Sequence, residues 1–146
     1  KTLEFEAART SLLPGLLKNL RSNREKPLPL RLFEVQDVVL KDREGTRNER
    51  RLAAVYMNKT DGFEIIHGLL DRIMEKIGIP KDRSEKGYDI EEDNSCPTYF
   101  EGRSSVVRGP RGAFVGRMGV LHPEVLSAFG LTAPVSAFEL NVEVLI

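Results

Sequence analysis

Two histidines, a single cysteine and a late group of arginines carry most of the chemistry this sequence offers near neutral pH. His67 sits in the run Phe63-Glu64-Ile65-Ile66-His67-Gly68, and His122 lies between Leu121 and Pro123. Either imidazole could serve as a general base, but neither has a nucleophile nearby in sequence, and a hydrogen-bonded structural histidine is the competing reading for both. Cys96 cannot form an internal disulfide, and one cysteine with two histidines cannot assemble a zinc site. It has no basic neighbour to activate it, so it reads as a passive thiol. Glu91, Glu92, Asp93 and Asn94 could attract a hard cation, but their spacing matches no calcium loop, and a solvated acidic loop accounts for them. Arg103, Arg108, Arg111 and Arg117 could grip an anion bidentately from one edge, or form an ion-paired strand face. The glycines at 102, 109, 112, 116 and 119 lack the Gly-Lys-Ser/Thr ending of a phosphate-cradling loop and suit hairpin turns and close packing.

The elements that must position these groups follow from hydrophobic spacing. Leu12, Leu13, Leu16, Leu17 and Leu20 recur at helical intervals behind Thr10 and Ser11, with Pro14 in the first turn and Pro27 and Pro29 beyond the end. Adjacent leucine pairs widen this apolar stripe beyond what one sheet face needs, so it is either a buried core helix or partly a contact with another subunit. Leu30 to Leu40 reads as a strand, Lys41 to Arg51 as a charged turn containing Gly45, and Leu52 to Asn58 as the returning strand. A helix capped by Asp61 carries Phe63, Ile66, Leu69, Leu70, Ile73, Met74 and Ile77 on one face and ends at Gly78. A short strand from Tyr88 to Glu91 follows. Ser104 to Arg108 and Ala113 to Val120 form a hairpin about Gly109-Pro110-Arg111-Gly112, a short helix runs from Pro123 to Phe129, and a last strand spans Val135 to Val144. This order predicts an α+β fold, an antiparallel sheet flanked by helices.

The 146 residues suit one domain, 1–146, large enough to hold a core without disulfides or metal. Twenty-two basic side chains balance 22 acidic ones, which argues against bulk capture of nucleic acid. The balance hides an asymmetry: residues 1 to 60 hold 13 basic and 8 acidic groups, and residues 61 to 146 hold 9 and 14. A basic patch in the first half is therefore one reading, intermixing of the charges in the fold the other. No apolar run is long enough for a membrane span, and the N-terminus lacks an apolar signal core, so the chain reads as intracellular. It begins at Lys1 without an initiator Met and is expected to be a piece of a longer polypeptide.

Four blocks, in order, carry a resemblance. Arg9-Thr10-Ser11-Leu12-Leu13-Pro14-Gly15-Leu16-Leu17 and Leu32-Phe33-Glu34-Val35 resemble the beta chain of phenylalanyl-tRNA synthetase. Phe63 to Ile73 and Gly119-Val120-Leu121-His122-Pro123 are similar to its archaeal and eukaryotic cytosolic form. The resemblance implies a C-terminal catalytic-like domain with a class II synthetase sheet, part of a cytoplasmic assembly of two alpha and two beta chains. In that family the alpha subunit activates phenylalanine with ATP and Mg²⁺ and transfers it to tRNA(Phe), and the beta copy of the fold is degenerate. The sequence agrees, since Arg31 is displaced from the place of the ATP-holding arginine and the late glycine-rich, arginine-ended motif is missing between Ala133 and Ile146. The editing and magnesium-binding modules of the beta chain lie outside these residues.

The expectation is therefore a structural and assembly role for the ligase, with no catalytic, cofactor-binding or metal-ligating residue in this domain and no membrane contact. The leucines at 12, 13, 16, 17 and 20 are expected at a subunit interface. The alternative is a tRNA-contacting module in which Arg21, Arg24 and Arg31 meet phosphates, and a free-standing amino-acid-activating enzyme is disfavoured by the missing arginines.

Overall fold

In the computed structural model, which describes residues 9–146, a single six-stranded sheet divides the chain into two apolar layers. Its strands are β1 (Leu30–Asp42), β2 (Gly45–Met57), β3 (Asp89–Glu92), β4 (Tyr99–Arg108), β5 (Phe114–Leu121) and β6 (Val135–Asn141). They lie in the order β1-β2-β6-β5-β4-β3, every neighbouring pair antiparallel. Three helices complete the described chain: α1 (Leu13–Ser22), α2 (Phe63–Ile77) and α3 (Pro123–Ala128). The antiparallel α+β arrangement is the one expected. The reading of Lys1 to Ala8 as lacking a signal core falls outside the described residues.

Alternation along β2 and β6 sends side chains to opposite layers. Ala53, Val55, Met57, Val135 and Ala137 meet α1, with Val125, Leu126 and Phe129 from α3 and the chain after it packed alongside. Ala54, Tyr56, Phe138 and Leu140 meet α2 through Ile66, Leu70 and Met74. The five leucines expected at a subunit interface lie in the first layer, all no more than 7% exposed. That expectation is corrected to this extent: the side chains are already covered by the chain's own sheet, each burial stabilising by about 1.5–3 kcal/mol, so they are not themselves a contact surface. The wide stripe has an internal cause, because α1 is gripped by β1, β2 and the Leu131 loop together.

The charged segment from Lys41 to Arg51 is strand rather than turn. β1 and β2 stay paired out to Asp42 and Gly45, so only Arg43 and Glu44 make the loop. The end of the ribbon, from Lys41 to Asn48, is exposed, which is why it is polar; further in, Asp37 and Arg50 face each other in register and pair at 2.6 Å. The last strand stops at Asn141, whose side-chain oxygen accepts the Glu143 N–H at 2.9 Å and turns Val142–Leu145 into a 3-10 turn. β4 begins at Tyr99, earlier than the expected Ser104. Tyr88 lies before β3, in an isolated bridge with Lys81. Gly62 holds the cap position of α2, and Asp61 just before it accepts the Phe63 N–H at 3.5 Å while its carboxylate also takes Arg103 at 2.7 Å. The buried stripe of α2 is also narrower than expected, since Leu69 and Ile77 are exposed.

Candidate functional site

The polar groups that the sheet gathers most tightly were not among those singled out by residue type. On the α1 face, β2 offers Glu49 and Arg51 and β6 offers Glu139 and Asn141, with Arg51 opposite Asn141 in the register. Above them lies a cleft of about 400 Å³, walled by Ser11, Leu13, Cys96, Tyr99, Phe114 and Arg117. Its floor is an ionic network. The Arg51 guanidinium donates from Nε to Glu49 at 2.8 Å, and from Nη1 to Glu139 at 2.8 Å and to the Thr10 carbonyl at 3.2 Å. Burial works against its charge, but the hydrogen bonds and fields of Glu139 and Glu49 outweigh that and raise its pKa above the ordinary value.

Glu139 is the hub. Its carboxylate also accepts the Ser11 hydroxyl at 2.7 Å and the Leu12 N–H at 3.2 and 3.3 Å, which places an anion at the start of α1. Ser11 thus engages the helix end twice, donating to Glu139 of a distant strand and accepting the Leu13 N–H locally at 3.3 Å. Glu49 accepts a second arginine, Arg47, at 3.2 Å. Both carboxylates are buried and both are paired, as buried charges must be. Glu49 and Arg51 fell in the segment read as a turn, and their partner Glu139 lies 88 residues beyond Arg51 and carried no local signal.

The arginines once considered as one anion grip are dispersed. Arg103 pairs with Asp61 at 2.7 Å, Arg108 with Glu91 at 3.6 Å and Arg117 with Asp93 at 3.4 Å. Arg111 adopts a left-handed φ of 60° in the turn before β5. Asp93 is held well below the usual carboxylate range, at about 2, by the Ser95 hydroxyl and backbone N–H and then by Arg117, with burial opposing. The acidic run 91–94 is shared between the end of β3 and this turn. Among the described residues no group of three His, Cys, Asp or Glu is arranged to hold a metal ion.

His122 is a helix cap whose Nδ1 accepts the Glu124 N–H at 3.1 Å, and its ring lies against Phe100. His67 sits on α2 near Lys81, 3.3 Å away, and Asp71, 3.7 Å away, while the Tyr88 hydroxyl donates to Asp71 at 2.6 Å. Cys96 is half-buried in the cleft wall. The three proposed phosphate contacts are not on one surface. Arg21 and Arg24 line a shallow cleft with Lys18 at the end of α1, whereas Arg31 stacks over Tyr56, on the α2 face of the sheet.

An ATP·Mg²⁺ site does not fit this floor, because the guanidinium that would meet phosphates is already engaged by Glu49 and Glu139. The architecture itself is shared with synthetases. A structure of Desulfitobacterium hafniense PylSc, a pyrrolysyl tRNA synthetase, superposes with a TM-score of 0.72 at 15% identity, covering 94% of this chain and 48% of that one. The fold is therefore the one PylSc has, and its antiparallel α+β sheet flanked by helices is the architecture expected.

Sequence comparison narrows this. Residues 1–142 match the family model of the phenylalanyl tRNA synthetase beta chain CLM domain, and the chain belongs to that family. It is 59% identical over 146 residues to the phenylalanine–tRNA ligase beta subunit of Caenorhabditis elegans, covering 98% of this chain and 24% of that protein. Identity to the Homo sapiens beta subunit is 52%, covering 97% of this chain and 24% of that protein, and to the Saccharomyces cerevisiae one 46%, covering 99% and 27%. The chain thus spans about a quarter of the length of these relatives. The match is to the CLM domain as such and gives it no C-terminal placement.

Proposed function

We propose that this chain is a non-catalytic domain of the beta subunit of a cytoplasmic phenylalanine–tRNA ligase, and that its work is assembly with, and support of, an alpha subunit that carries the chemistry. The complex would contain two alpha and two beta chains, use ATP and Mg²⁺ at the alpha subunit, and charge tRNA(Phe). One observation carries the reading: apolar side chains are displayed on the sheet face that α2 only partly covers. Phe33 is 75% exposed and Val35 45% on edge strand β1, paired with Ala54 and Leu52 of the α2 layer. Ile65, on the same layer's helix, shares a cleft with Tyr56 and is 49% exposed. Exposed apolar groups gathered on one face mark protein contact.

The test is co-expression of the full-length beta chain with the alpha subunit. Phe33→Asp and Val35→Asp together are expected to cut recovery of the complex at least about tenfold, a loss of ~1.4 kcal/mol, with the beta chain's own melting unchanged. Leu17→Asp should instead unfold the domain, since it places a charge in the α1 layer. Normal assembly by the Phe33/Val35 variant would refute the interface.

A second reading is supported by the cations from Lys18 to Arg31. Among the described residues none of these five pairs with a carboxylate, whereas most arginines elsewhere do. Lys18, Arg21 and Arg24, with Lys26 following, could meet tRNA phosphates; Arg31 lies on the other sheet face and drops out of that set.

A further inference from the structure

Three devices that bind anions converge at the bottom of the cleft, and one carboxylate of the chain satisfies all of them. The first is the Arg51 guanidinium, whose fork suits a phosphate or carboxylate. The second is the N-terminus of α1, where the Leu12 N–H points at both oxygens of Glu139. The third is the Ser11 hydroxyl, 2.7 Å from Glu139. Glu49 takes the other side of the same guanidinium. Above this floor the space is open, about 400 Å³, with a second guanidinium, Arg117, on its wall. Gly116 lines the cleft through its backbone, close against β6: a Cβ at this position would collide with the Glu139 carbonyl.

We propose that the Arg51 floor of the cleft is an anion site occupied by the chain's own carboxylates, Glu139 and Glu49, and that neutralising them converts it into a site for a small phosphate-class anion. The two glutamates stand where an external anion's oxygens would stand, and their charge repels any that approaches. Removing the charge while keeping the side-chain length leaves a guanidinium, a hydroxyl and a helix N-terminus facing an open cleft. This accounts for how the domain keeps a synthetase fold without competing for nucleotide or pyrophosphate. The inference holds whether or not the domain also serves in assembly.

The test reads Arg51 directly in the full-length beta subunit purified with its natural partner chains. Phenylglyoxal adds to accessible guanidinium groups, and mass spectrometry assigns the addition to Arg51. In the native protein, modification at Arg51 is expected to be slow and unchanged by inorganic pyrophosphate. In the Glu49→Gln/Glu139→Gln variant it should be about tenfold faster, as expected for loss of charge-assisted bonds, and pyrophosphate should suppress it saturably. A natively melting double variant whose Arg51 pyrophosphate leaves unprotected overturns the proposal. So does pyrophosphate protection of Arg51 in the native protein. Should the double variant not assemble, Glu139→Gln alone decides by the same readout, because it removes the charge that the guanidinium, the Ser11 hydroxyl and the Leu12 N–H share while Glu49 holds the guanidinium only through Arg51 Nε; faster, pyrophosphate-sensitive modification supports the proposal and unchanged behaviour overturns it. Complex formation is not part of the readout, so failure here is separable from failure of the assembly reading.

Discussion

At the scale of single residues, Asp93 gives the sharpest expectation. Its carboxyl titrates at about 2 in the folded chain, held down chiefly by the Ser95 hydroxyl and N–H. The unfolded value is near ~3.9, so its contribution to stability is fully present above that pH and is lost as pH falls through about 2. A carbon-detected NMR titration should therefore place the Asp93 midpoint at about 2. Ser95→Ala should move it up towards the ordinary carboxylate value, and a native midpoint already there would contradict the turn geometry. Residue type alone left Arg117 either an anion ligand or part of an ion-paired strand face; what the sequence concealed is that Asp93 and Ser95 come to meet it from another strand's end.

At the scale of elements, β5 depends on the absence of a side chain. A Cβ at Gly116 would enter the backbone of β6 at Glu139 and Leu140, and one at Gly119 would enter β4 at Arg103. Gly116→Ala should therefore spread the central strands and destabilise by about 1–3 kcal/mol, read as a lower midpoint in urea unfolding. An unchanged midpoint would mean that the strands relax freely. Gly78→Ala offers a contrast. Gly78 ends α2 at φ 82° with open space around its α-carbon, so the change should cost about 1–2 kcal/mol through backbone strain alone. Helix ends of this kind were legible in the sequence, as were α1, α2 and the late hairpin, because apolar spacing and glycine or proline punctuation are local signals. The length of the β1–β2 ribbon was not. Arg47, Arg50 and Arg51 read as loop residues by polarity, and only pairing with Asp42, Asp37, Glu49 and Glu139 makes them strand residues.

At the scale of the whole molecule, the opposite charges of the two sequence halves remain partly segregated in space. β1 and β2 form one edge of the sheet, β3 to β5 the other, and α1, whose Lys18, Arg21 and Arg24 pair with no carboxylate among the described residues, lies over the first edge. If that cluster meets tRNA, replacing Lys18, Arg21, Arg24 and Lys26 by Gln in the full-length subunit should weaken binding and flatten its salt dependence by ~0.7–0.9 in slope per lost contact. A slope equal to that of the native complex would remove the tRNA reading and leave assembly alone. The fold class was within reach of the sequence. The ionic floor of the cleft was not, since it joins residues from 10 to 139 that only the sheet order brings together.

That order has a bearing on how the chain comes into being. Of the six strands of this sheet β6 is the last to leave a ribosome, yet it lies between β2 and β5 and joins the two halves of the sheet. Until Val135 to Asn141 emerge, the β1–β2 ribbon and the β3–β4–β5 meander are separate pieces with open inner edges, exposed to wrong pairing. The same seven residues deliver Glu139 to Arg51. Closing the sheet and discharging the cleft are therefore one event, which waits for the sheet's final strand, and a nascent chain that stops before Val135 would present an aggregation-prone edge together with an unsatisfied guanidinium.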